Sequence, residues 1–133
     1  MKEIPRELDW VKARNACSLS VMFETLKKEV EEDINKSNEL REGQMGKFTF
    51  HKKPNDFTVF WDAASSRELI VFYLKESTIE VESGDGKKIL EVGITLNDAG
   101  ECKFRVKDKD EELESWQFRK RVLEKFIFGP LSR

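Results

Sequence analysis

The sequence predicts an α+β domain: an N-terminal helix, a six-stranded antiparallel meander and a C-terminal helix, in two layers with both helices on one sheet face. Three observations predict it. Leu19, Phe23, Leu26, Val30 and Ile34 recur at helical spacing. From Lys47 the apolar period drops to two and persists through six short segments joined by tight turns. The chain then closes on a segment with acidic residues first, basic residues last and a Gly129-Pro130 stop.

The chain has 133 residues, which suits one domain over 1–133. Folding a chain of this size hides about two thirds of its open surface, enough for an independent core. Lys plus Arg number 24 and Asp plus Glu 26, for a net charge of -2. That balance argues against generic nucleic-acid binding. No apolar run approaches the roughly 20 residues of a membrane span, and the start, Met1-Lys2-Glu3-Ile4-Pro5, has no apolar signal-like core. Charged residues reach 38%, but 10 Phe and 3 Trp supply the apolar mass that a disordered chain lacks.

In the first helix the face opposite the apolar stripe is charged, with Lys27 and Glu31, and Lys28 and Glu32, four apart. The exit loop is expected over 35–46, where Ser37, Asn38, Gly43 and Gly46 gather. Trp10, Ala13, Cys17 and Val21 also recur at helical spacing, on nearly the reverse side. Either the chain breaks near Asn15 to Ser18, or a continuous helix offers a second stripe to a partner. A break is favoured, because Asn, Cys and Ser make a weak helical patch and Ser18 can cap the helix beyond it. Pro5 suits a first-turn position in either case.

In the meander, Phe48 and Phe50 alternate with Thr49 and His51, and Pro54-Asn55-Asp56 turns the chain. Phe57, Val59 and Trp61 share one face, opposite Thr58, Phe60 and Asp62. Residues 63–67 read as a loop. Leu69 to Leu74 is continuously apolar, as in a strand covered on both faces. Ile79 and Val81 alternate with Glu80 and Glu82, and Gly84-Asp85-Gly86 signals a hairpin. Leu90, Val92, Ile94 and Leu96 form the fifth strand, and Cys102, Phe104 and Val106 the inward side of the sixth. The last helix is expected to be capped by Asp108, with a core stripe of Leu113, Trp116, Leu123 and Ile127.

Two cysteines, Cys17 and Cys102, show no CxxC or zinc spacing. They read as two buried thiols, and the default compartment is a reducing cytoplasm. A thiol nucleophile with His51 as base would need a hydrogen-bonded pair that the spacing does not indicate. The acidic run from Asp108 to Glu114 fits the helix dipole and lacks the glycine of a calcium loop. Gly84-Asp85-Gly86-Lys87 is a turn between strands, not a phosphate loop. Lys103, Arg105 and Lys107, with Lys87 and Lys88, read as a lysine-protected edge offset by Glu80, Glu82 and Glu91. No catalytic residue, metal or cofactor is implied.

The most informative feature is surplus apolar surface. The second and third strands carry large side chains on both faces, so several must point away from the helices. The expected function is therefore a non-catalytic cytoplasmic protein-interaction module that self-associates, without nucleic-acid or membrane partners. Its expected anchors are Phe60, Phe72 and Leu74, with Trp10 as a further one. The alternative is a carrier of a small apolar ligand between a curled sheet and the last helix, lined by Trp61, Tyr73, Phe104 and Trp116.

Overall fold

The computed structural model describes residues 7–44, 46–63 and 66–129. The expectation for Pro5 and the proline of the helix stop fall outside them. Two helices come first, α1 (Trp10–Ala16) and α2 (Leu19–Leu40). The break between them is where Asn, Cys and Ser weaken the helix: Ser18 is extended, and its hydroxyl accepts from the Val21 N–H at 3.1 Å. Helix α2 runs past Asn35, because Ser37 and Asn38 still face protein. The Asn38 amide accepts from the Phe48 N–H and donates to the Phe48 carbonyl, at 2.9 and 2.7 Å. That occupies edge-strand backbone groups which would otherwise be open to pairing.

The sheet is antiparallel with strands in chain order: β1 (Lys47–Lys53), β2 (Asp56–Ala63), β3 (Ser66–Leu74), β4 (Ile79–Ser83), β5 (Lys88–Leu96), β6 (Cys102–Val106) and β7 (Glu112–Leu113). It has seven strands, one more than the periodicity shows, because β7 is two residues long and holds too little alternation to be seen. Asp108, expected as a helix cap, instead sits in the β6–β7 turn at φ 64°, a conformation Asp tolerates. The last helix, α3 (Ser115–Phe128), starts later, with Glu114 as its cap residue. The Glu114 N–H donates to Gln117 Oε1 at 2.9 Å.

Helices α2 and α3 lie on one sheet face. Phe23, Leu26, Val30 and Ile34 of α2, and Phe118, Val122, Leu123, Phe126 and Ile127 of α3, are buried. They meet Phe48, Phe57, Val59, Trp61, Ile70, Phe72, Ile79, Val81, Val92, Phe104 and Val106. Ring pairs tie the layers together: Phe23 to Phe57 at 5.3 Å, Phe48 to Phe126 at 5.6 Å, Phe104 to Phe118 at 4.9 Å. Trp116, expected in the α3 stripe, is 55% exposed. With the helix starting at Ser115, the inward stripe passes through Phe118, Val122 and Phe126 instead.

Lys27 also departs from expectation. It is buried and its Nζ donates to the Lys53 carbonyl at 2.8 Å and to Glu24 at 3.1 Å, so it anchors the β1–β2 turn. Between the helices, Arg119 pairs with Asp33 at 2.7 Å, and the Ser115 hydroxyl donates to Glu29.

Cys17 and Cys102 are disulfide-bonded, with Cα atoms 5.4 Å apart and a sequence separation of 85. This replaces the reading of two buried thiols. The bond joins the break between α1 and α2 to the start of β6. Helix α1 buries none of its own residues, while the preceding Leu8 packs so close to Gly100 that a Cβ there would lie 2.7 Å from it.

Candidate functional site

The pairing register decides what each face of the sheet carries. Phe57 pairs with Phe72, Val59 with Ile70 and Phe50 with Val59, so these residues share the helix-covered face. The alternate positions form the other face in cross-strand rows. One row runs Lys53, Asp56, Tyr73, Glu80, Glu91; the next runs His51, Thr58, Val71, Glu82. A third runs Thr49, Phe60, Leu69, and a fourth Lys47, Asp62, Arg67.

At the centre of that face Phe60, Leu69, Val71 and Tyr73 make a continuous apolar strip on β2 and β3. All four are half-buried by their own neighbours, and α2 and α3 pack on the opposite side. Phe60 meets His51 edge to face at 5.5 Å, and the Arg67 guanidinium lies 4.2 Å from its ring centre. Arg67 also pairs with Asp62 at 3.3 Å. Partial burial and the carboxylates of Glu82, Asp56 and Glu80 raise the Tyr73 hydroxyl above its ordinary pKa.

Two of the expected anchors change place. Phe72 is fully buried against Phe57, their rings 4.5 Å apart, and Leu74 packs on the core from the same side. The continuous apolar run from Leu69 to Leu74 has no alternation of its own to mark its faces. Only pairing with β2 does, and it puts Leu69, Val71 and Tyr73 beside Phe60. Phe60 lies on the uncovered face, and Trp10 is 66% exposed on α1.

The ligand-cavity set does not converge. Trp61 and Phe104 are buried beneath the helices, Tyr73 points to the opposite sheet face, and Trp116 lies in a groove between α2 and α3. That groove encloses about 560 Å³ and presents Leu40, Trp116 and Phe128, each more than half exposed. It is a second uncovered apolar region of the molecule.

Four of the five basic residues of the stripe are paired in place. Lys103 pairs with Glu114 at 2.5 Å, Arg105 with Asp110 at 3.5 Å, and Lys88 and Lys107 with Glu91 at 2.7 and 3.5 Å. Hydrogen bonds from Lys88 and Thr78 hold the Glu91 carboxyl down to about 2, from an ordinary 4.5. With both cysteines bonded, no thiol nucleophile exists. Among the described residues no three His, Cys, Asp or Glu side chains gather as a metal site would need. Among the same residues no helix is long and apolar enough to cross a membrane. Compared with protein-family models, curated proteins and solved structures, the chain matches none.

Proposed function

We propose that this chain is a non-catalytic protein-interaction module whose working surface is the uncovered sheet face, and that self-association is among its uses. One observation carries the reading. The strip of Phe60, Leu69, Val71 and Tyr73 occupies the middle of a sheet face that neither long helix covers, with charged residues on both sides. An apolar, aromatic centre within a polar surround is the anatomy of a protein interface. Antiparallel sheets with one face left to water ordinarily keep that face polar.

The location belongs to the same proposal. Disulfides persist in oxidising compartments, so the Cys17–Cys102 bond favours such a compartment over the cytoplasm.

The test is a photoactivatable side chain placed at Val71 and, as control, at exposed Asp98 on the β5–β6 turn. Irradiation in the producing cells is expected to join Val71 to protein, this chain or another, far more than Asp98. No adduct, or equal adducts from both positions, overturns the reading.

A further inference from the structure

Resting on that reading, we infer that the occupant of the sheet face is a second copy of this chain, docked about a two-fold axis that runs along the strands between β2 and β3. The face is complementary to itself about that axis. Such an axis exchanges β2 with β3 and β1 with β4 while keeping every cross-strand row in place. The observed register then sets each outward side chain against a suitable partner on the second copy.

In the first row, Lys53 meets Glu80 of the second copy and Asp56 meets its Tyr73 hydroxyl. In the next, His51 meets Glu82 and Thr58 meets Val71. Phe60 meets Leu69 in the third row, and Asp62 meets Arg67 in the fourth. No row sets like charges against each other. The apolar strip meets itself at the centre.

Charge pairing within the single chain points the same way. Lys47, His51 and Lys53 on β1, and Glu80 and Glu82 on β4, make no ion pair with any described residue. On these two strands, which the axis superposes, Lys47 and Lys53 and Glu80 and Glu82 are thus left to pair between copies. Three strand spacings of about 4.8 Å separate them within one copy, too far to pair directly.

The geometry also sets the scale. Four strands about 4.8 Å apart and seven residues rising about 3.4 Å each make a face of roughly 19 by 24 Å per copy. With side chains interleaving at the usual sheet separation of about 10 Å, a face of this size lies below the roughly 1,200 Å² of standard stable interfaces, in the range of weak, reversible contacts. Twisted sheets pack face to face with strand directions within about 30° of one another, which this axis allows. The expected species is a reversible dimer whose population follows concentration.

Sedimentation velocity on the oxidised full chain tests this, using wild type, Lys53→Glu, Glu80→Lys and an equimolar mixture of the two variants. Wild type is expected to dimerise reversibly. Each variant alone sets two like-charged pairs across the seam and is expected to weaken dimerisation by about tenfold. Mixing them restores both pairs in trans and is expected to recover a heterodimer near wild-type strength. Circular dichroism and thermal melts establish that each variant is folded. A wild type that stays monomeric throughout, single reversals that leave the dimer unchanged, or a mixture no stronger than its parts overturns the inference. A monomeric wild type together with a Val71 adduct to a different protein would overturn the second-copy partner while leaving the interaction module standing.

Discussion

The two faces of the sheet are made by the same strands and read very differently. The helix-covered face holds Phe57, Phe72, Val81, Val92 and Phe104, all essentially dry, with ring contacts from strand to strand and on to Phe118. The uncovered face keeps an apolar strip only on β2 and β3 and puts cations on β1 and carboxylates on β4 and β5. A surface that never meets water needs only shape and apolar area. A surface that faces water keeps its apolar area narrow and edged by charge. The difference separates a closed packing contact from a water-facing surface.

The largest expected effect concerns how the covered side is held. Closing a loop across 85 residues is worth about 4–5 kcal/mol on the chain-entropy account. Reducing Cys17–Cys102 should lower the denaturant midpoint accordingly, measured with and without reductant. A loss below about 1 kcal/mol would mean that helix packing alone keeps α2 on the sheet.

Next is Phe72→Ala on the dry face, expected to cost about 3–5 kcal/mol through lost burial and the cavity left between Phe57 and Phe118. Equilibrium urea unfolding measures it. A cost near that of a surface substitution would contradict the packing of those rings.

A third effect comes from Glu91, whose side chain is 11% exposed between Lys88 and Lys107. Its carboxyl is held at about 2 against an ordinary 4.5, so its contribution is fully present above about pH 4.5. It is lost as pH falls towards 2, and amounts to at most about 3 kcal/mol. Acid titration of wild type against Glu91→Gln should show the variant losing less stability across that window. Parallel curves would remove the shift.

The smallest effect is the most telling for the comparison. Phe60→Ser on the uncovered face should change monomer stability by no more than about 1 kcal/mol, while weakening self-association in the sedimentation assay. Should it unfold the protein as Phe72→Ala does, the two faces would not differ in kind.

Much of this was legible in the sequence. The stripe from Leu19 to Ile34, the period-two segments, the Gly84-Asp85-Gly86 turn and the cap at Ser18 each reflect local preference acting over a few residues. Surplus apolar area on β2 and β3 was legible too, from Phe60 opposite Val59 and Trp61. The identity of the outward side chains on β3 was not, because a run such as Leu69 to Leu74 reads the same in either orientation. Nor was the late start of α3, since the acidic run from Asp110 to Glu114 suits a helix start at either end of it.

By itself the sequence determined the long helices, six of the seven strands, their order, the antiparallel class and the presence of more apolar surface than two helices can shelter. Tertiary structure alone decided that Cys17 meets Cys102, that Lys27 turns inward to the β1–β2 turn, and that Phe72 faces the helices while Leu69, Val71 and Tyr73 join Phe60. The physical reason is range. Periodicity and capping act between residues a few positions apart, whereas register, disulfide partnership and burial depend on which distant strand or helix arrives alongside.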